Sequence, residues 1–234
     1  MTHNKVTLIT GTSKGIGKSL AEHYSRQGHR VIGCSRTLPS FTLPNYTHIV
    51  ADITDEKEVL NLFQLVKSQF GHIDHLINNA GIAAMNHVLL TPLTTIQKLL
   101  ATNVVGTFLM CREGGKLMAK NTFGRIVNFS TIAVPLKVAG EAMYAASKAA
   151  VHSFTEVLAH ELGEYGITVN AIGPTPIETD LVRSVPKAKL EKLIHRQAIK
   201  RFGEYSDVAN VTDFFLQKSS QFITGQILYL GGIA

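Results

Sequence analysis

The feature that most constrains this chain is the alternation of short apolar, β-branched runs with longer amphipathic ones. The short runs, at residues 6–10, 30–34, 47–51, 75–78, 125–129, 168–172 and 226–230, read as strands. Between most of them, at 19–27, 56–70, 95–120, 142–165 and 207–217, apolar residues recur every three or four positions, which is helical spacing. Strands separated by helices need crossover connections, so the sheet is expected to be mostly parallel with helices on both faces. The expected fold class is α/β: a single doubly wound Rossmann-type domain with about seven parallel strands. Ligands of such sheets bind beyond the carboxyl ends of the strands, which directs the search for function to the loops that follow them.

Composition matters where it excludes alternatives. A chain of 234 residues, 45% hydrophobic and 17% charged, is long enough for one large core, and no linker-like tract divides it, so residues 1–234 are read as one domain. No apolar run approaches the roughly 20 residues of a membrane-spanning helix, and the N-terminus runs into a strand instead of a signal peptide. A cytoplasmic protein without a membrane partner is expected. Cys34 and Cys111 fall in different elements with no metal-ligand spacing, so free buried thiols and no metal are expected. The formal charge is +6, with basic residues gathered at Arg183, Lys187, Lys189, Lys192, Arg196, Lys200 and Arg201. These are not interleaved with stacking aromatics, which argues against a nucleic-acid partner. They overlap an irregular stretch that opens with Pro174 and Pro176 and then turns polar and helical, as a flap over a pocket at about 176–201 would.

Directly after the first strand stands Thr10-Gly11-Thr12-Ser13-Lys14-Gly15-Ile16-Gly17, followed by an amphipathic helix. Glycines there permit a tight turn and let backbone N–H groups and the positive helix end approach a pyrophosphate. Gly11, Ser13, Lys14, Ile16 and Gly17 are thus candidate dinucleotide contacts. At the end of the second strand, Gly33-Cys34-Ser35-Arg36 lacks the Asp or Glu that would bond the ribose 2′-OH of NAD. Ser35 takes that position, while Arg36 and Lys14 can converge on a 2′-phosphate, so the expected cofactor is NADP(H). Asp52 and Ile53, after the third strand, are placed to contact the adenine, though an Asp there also suits a turn.

Tyr144 and Lys148 share a helix face at i, i+4. A phenol is a poor base at neutral pH, and a neighbouring cation favours phenolate and moves it toward a useful range. Upstream, Ser130 and Thr131 end a strand, and either hydroxyl can stabilise charge developing on a carbonyl oxygen. Asn103, polar within an apolar helical stretch, reads as a kink, a satisfied buried amide or the holder of a water.

With these residues the chain resembles the short-chain dehydrogenase/reductase family over essentially its full length. The resemblance rests on Thr-Gly-x-x-x-Gly-Ile-Gly at 10–17, Asn-Asn-Ala-Gly at 78–81, Asn103, the Ser/Thr pair, Tyr144-x-x-x-Lys148, and Ile-Thr-Gly-Gln near the C-terminus. It implies carbonyl reduction or alcohol oxidation by hydride transfer, with Tyr144 as general acid/base. Lys148 would lower its pKa and bind the nicotinamide ribose, and Asn103 would hold a water. It adds Asn79, Ala80 and Gly81 as cofactor contacts, together with Pro174, Ile177 and Thr179 near the carboxamide. The family's serine falls on Thr131, with Ser130 as the alternative, and Thr175 stands where the family has glycine, so it could crowd the nicotinamide. The nearest subfamily resemblance is to β-ketoacyl-acyl-carrier-protein reductases, which would make the basic run a dock for an acidic carrier protein or a phosphate-bearing substrate. Other ketones, sugars or polyols stay open as substrates, as does a non-catalytic NADP(H) sensor. A homo-oligomer, dimer or tetramer, is implied.

Overall fold

The structure is a computed structural model and describes residues 4–179, 182 and 185–233. Arg183 of the basic run lies outside the described residues. Seven parallel strands form one sheet, in the spatial order β3-β2-β1-β4-β5-β6-β7. They are β1 (Val6–Thr10), β2 (Arg30–Ser35), β3 (Tyr46–Val50), β4 (His75–Asn78), β5 (Gly124–Phe129), β6 (Ile167–Gly173) and β7 (Ile227–Tyr229). Helices α1 (Gly15–Arg26), α2 (Glu56–Phe70), α3 (Leu93–Leu100), α4 (Thr107–Ala119), α5 (Ala133–Leu136), α6 (Ala142–Leu162), α7 (Lys187–Arg196) and α8 (Tyr205–Leu216) connect them. Among the described residues, no helix is long and apolar enough to cross a membrane.

Period-two side-chain alternation splits the core between the two sheet faces. Leu8, Leu76 and Ile126 pack with α2, α4 and α6 on one face, while Ile9, Ile77 and Val127 pack with α1 and α8 on the other. Crossovers leave β1 toward β2 on one side and reach β4 on the other, so the loop between β1 and α1 stands at the switch point of the sheet. The two cysteines are free and buried, and burial pushes each thiol up to about 12.

The helix expected over 95–120 is broken. Between α3 and α4 the chain makes a wide π-helical segment, Ala101–Gly106, centred on Asn103. Its cause is tertiary: a Cβ on Gly106 would lie 2.7 Å from Ile53 Cδ1, and the buried Asn103 amide is drawn to the loop after β4. Helix α1 also starts earlier than its apolar spacing indicates, at Gly15, so the glycine loop feeds straight into a helix end. The flap contributes one regular helix, α7, which buries none of its residues and is tied down where Arg196 Nη1 donates to Leu136 O at 2.7 Å.

Candidate active site

The glycine loop is held by the strand beside it. Asn79 Nδ2 donates to Thr10 O at 2.9 Å, and Ala80 N donates to Thr10 Oγ1 at 3.0 Å. Gly11 has φ +74°, and a Cβ there would lie 2.8 Å from Asn79 Nδ2, so a side chain would meet both backbone strain and a clash. Helix α1 then begins with no side-chain cap and no acidic residue in its first turn. Its counterpart α2 is capped by Asp55, which accepts from Lys57 N and Glu58 N, and carries Glu56 and Glu58 in the first turn. The positive end of α1 is therefore left for a ligand with negative charge.

This helix end opens on a cleft of about 580 Å³ along the carboxyl ends of the strands, within the range of small-molecule sites. All but two of the residues singled out from the sequence line it. Gly11, Ser13, Lys14 and Ile16 form one end with Ser35, Arg36, Asp52 and Ile53; Asn79, Ala80 and Gly81 form the floor; Ser130, Thr131, Tyr144, Lys148, Pro174, Ile177 and Thr179 surround the far half. The exceptions are Gly17 and Asn103, both buried beneath it. Gly17 packs against Gly11 and Asn79 so closely that a Cβ would overlap them.

At the near end no carboxylate ends β2. Ser35 Oγ donates to Thr37 O at 2.7 Å and meets His48 Nε2 at 3.2 Å, and Arg36 is exposed. Asp52 is committed to a turn, its Oδ1 accepting from Thr54 N at 2.9 Å and Thr54 Oγ1 at 2.8 Å. Its side chain is thereby taken up within the protein, while Ile53 stands at the cleft wall.

In the far half, Tyr144 and Lys148 project from the first turns of α6 and are buried. Lys148 Nζ donates to Phe129 O at 2.7 Å, and Thr131, whose hydroxyl accepts from Ala133 N at 3.2 Å, stands close enough to the Tyr144 phenol to act on its pKa. Burial pushes the phenol up to about 12, with Thr131 pulling it down and the carboxylate of Glu141 pushing it further up. Burial alone pushes the Lys148 ammonium down to about 8. The expected lowering of the phenol by its cationic neighbour is thus corrected: desolvation penalises both charged forms, raising the phenol and lowering the ammonium. Of the two candidate hydroxyls, Ser130 Oγ is engaged by His152 Nε2, and Thr131 is the one that acts on the Tyr144 phenol.

Asn103 is fully buried. Its Oδ1 accepts from Ile82 N at 2.9 Å, and its Nδ2 donates to Ile82 O at 2.9 Å and to Ser147 Oγ at 3.0 Å. Kink and satisfied amide are therefore both found. Thr175 is also buried, and its side chain is received by two glycines. A Cβ on Gly203 would lie 2.6 Å from Thr175 Oγ1, and one on Gly231 would lie 2.7 Å from its Cγ2. Thr175 nevertheless lines the cleft between Pro174 and Pro176.

The sequence left unmarked the apolar half of the cleft: Ile132, Val138, Val182, Val185, Leu190 and Leu193, with Glu141 and Tyr205 among them. Val182, Val185, Leu190 and Leu193 belong to the flap expected at about 176–201, but no local signal shows which of its residues face the cleft. Glu141, three residues before Tyr144, was within reach of the motif itself.

The family model described as enoyl-(acyl carrier protein) reductase matches residues 11–232. The 3-oxoacyl-[acyl-carrier-protein] reductase FabG of Escherichia coli (strain K12) is 29% identical over 234 residues, covering 97% of this chain and 96% of that protein. That of Staphylococcus epidermidis (strain RP62A) is 30% identical over 240 residues, covering 98% of each. Among solved structures, the aldohexose dehydrogenase of Thermoplasma acidophilum in ligand-free form aligns with a TM-score of 0.89 at 29% identity, covering 98% of this chain and 94% of that one. ElxO with NADP bound aligns with a TM-score of 0.89 at 29% identity, covering 97% of each.

Proposed function

The chain belongs to the short-chain dehydrogenase/reductase family and is an oxidoreductase, and we propose that it is an NADP(H)-dependent carbonyl reductase acting on a β-ketoacyl group carried by acyl carrier protein. The observation that carries this reading is the meeting of Tyr144, Thr131 and Lys148 in the cleft that also receives the uncapped end of α1. The residues present fit a dinucleotide phosphate: a glycine cradle that a Cβ would fill, and a helix end without an acid. Arg36 and Lys14 at one end of the cleft, with no carboxylate closing β2, favour the 2′-phosphorylated form. The bound reduced nicotinamide supplies the hydride.

Thr131 and Tyr144 hold the carbonyl oxygen between two hydroxyls, where negative charge develops. The Tyr144 phenol is protonated at neutral pH, as an ordinary phenol is, and burial deepens this, so it can give its proton to that oxygen in the reductive direction. Lys148, anchored on Phe129 O, places a cation at the cleft floor beside Gly81 and binds the ribose, as the family resemblance implies. Helix α7 turns Leu190 and Leu193 into the cleft and also carries Lys187, Lys189, Lys192 and Arg196, a combination that suits an acyl chain delivered on an acidic carrier. Exposed Val105, Phe108 and Val157 on the π-helical segment, α4 and α6 support assembly as a homodimer or homotetramer.

A second reading, reduction of a sugar or other hydroxylated ketone, draws support from Glu141, a carboxylate on the substrate side of the cleft. NADPH consumption with a β-ketoacyl carrier thioester, set against hydroxyketones and aldoses, separates the two. Preference for the thioester is expected; preference for the hydroxylated compounds reassigns the substrate. Tight NADPH binding without turnover of any carbonyl points to the non-catalytic sensor.

A further inference from the structure

Phe129, the last residue of β5, and the two residues after it each meet α6. Phe129 offers its carbonyl to Lys148, Ser130 its hydroxyl to His152 Nε2, and Thr131 stands close enough to Tyr144 to act on its phenol. Tyr144, Lys148 and His152 are spaced i, i+4, i+8 and form one stripe of the helix. His152 is half-buried and stands outside the cleft lining, and its Nδ1 faces Tyr229 Oη on β7 at 3.4 Å. One imidazole thus joins the helix that carries the reacting groups to the ends of two strands.

Two of the three ties are not free to hold the strand end through a turnover. On the reading above, Tyr144 gives up its proton while it touches the carbonyl oxygen. Lys148, brought by burial to about 8, changes protonation near neutral pH and must also serve the cofactor. The contact between Ser130 and His152 is the one that stays outside the reacting atoms. We propose that His152 is a positioning residue for this centre: it pins Ser130, and with it the Phe129 carbonyl and the Thr131 hydroxyl, at the spacing that Lys148 and Tyr144 require. The inference rests on the assignment of Tyr144, Lys148 and Thr131 as the reaction centre.

The surroundings suit a neutral ring. One ring nitrogen donates and the other accepts, and the hydroxyls of Ser130 and Tyr229 can each take either part. The charged groups that act on it are Glu156 and Lys148, one turn away on either side along α6; Tyr229 reaches it from β7 and Ser130 from β5. Burial lowers its pKa, Glu156 raises it, and Lys148 lowers it, with a net downward shift.

His152→Phe keeps a ring but removes both hydrogen bonds, whereas His152→Gln retains one acceptor and one donor. Ser130 N donates to Ile172 O and Ile132 N to Pro174 O, so exchange of these amides reports on the strand end without any substrate. Mass-spectrometric hydrogen exchange is expected to speed up over residues 130–132 in His152→Phe, with the rest of the sheet unchanged and the Gln variant close to wild type. In steady-state assays kcat should fall on the order of 10–100-fold in His152→Phe, since small misplacements of reacting groups are that costly. KM and NADPH affinity should stay near wild type, and Gln should recover most of kcat. Ser130→Ala should reproduce the loss, and the double variant should be no worse than either single one. Unchanged exchange over 130–132, a Gln variant no better than Phe, or losses that add in the double variant would each overturn the proposal. Should His152→Phe fail to fold, Ser130→Ala makes the same predictions by deleting a single hydroxyl. A wild type that consumes no NADPH defeats the functional reading, whereas the exchange result still decides whether His152 pins the strand end.

Discussion

The two ends of the sheet bury ionisable side chains under the same force and put them to opposite use. At the carboxyl end, burial raises Tyr144 and lowers Lys148, and both line an open cleft. At the amino end, Thr7 Oγ1 lies between His29 Nδ1 at 2.9 Å and His75 Nδ1 at 3.1 Å, while Tyr24 stacks on His29 with ring centroids 5.1 Å apart. Burial there holds His75 well below the usual histidine range and pushes the Tyr24 phenol far above its own. Yet none of these four residues lines the cleft, and His75 Nε2 is buried without a hydrogen-bond partner among the described residues. Displaced protonation by itself does not mark a site; it becomes chemistry only where a ligand can reach the displaced group.

The sharpest way to break this comparison is Tyr144→Phe. Turnover should fall about 10²–10⁴-fold, the usual worth of a positioned proton donor, with NADPH binding and melting temperature nearly unchanged. Turnover close to wild type would show that the phenol is as idle as Tyr24. Lys148→Met should separate function from stability. Lowering the ammonium from 10.5 to about 8 costs the folded state roughly 3 kcal/mol at neutral pH, against about 1.5–3 kcal/mol for the hydrogen bond from this charged donor to Phe129 O. The variant should therefore be inactive while its resistance to denaturant stays close to wild type. Between about pH 8 and 10.5 the unfolded state binds the extra proton, so this group makes wild-type stability rise with pH across that window, and the variant should lack that rise.

Arg36→Asp should weaken NADPH binding about 10–100-fold by fluorescence titration while sparing NADH, as loss of a charge-assisted contact predicts. Equal affinities before and after would remove the basis for the cofactor preference. The smallest effect belongs to the amino end. His29 and His75 have folded pKa values below 6.5, so stability is fully present above that pH and is lost as pH falls through it, by up to about 1.4 kcal/mol per pH unit for each histidine. His75→Asn should flatten that acid slope in denaturant titrations and leave kcat at neutral pH alone. A change in kcat would mean that the two ends are coupled.

Much of this was legible in the sequence because it is local. All seven strands stand where β-branched runs were read, and the glycine loop and Tyr144/Lys148 announce themselves by spacing. What escaped is set by contacts distant in sequence. Residues 101–106 have the same apolar periodicity as their flanks, and only Ile53 and Ile82, brought in from elsewhere, open the turn around Asn103. How far the phenol's pKa is displaced depends on how completely the fold buries it, which a residue pair cannot state. The partners of His152, on β5 and β7, are 22 and 77 residues away in sequence.

The wide turn at Ala101–Gly106 also acts as a phase shifter. Each residue advances a helix by roughly 100°, so a surplus residue rotates everything after it relative to everything before. Leu99, ahead of the turn, packs with Ala133 and Tyr144, whereas Leu109 and Met110, behind it, pack into the core beneath α2. One run of chain thereby faces two different neighbours. Apart from Asn103 and Gly106, whose identities the packing fixes, it is length more than composition that the fold constrains over residues 101–106: deletion of a single residue turns one of the two faces away.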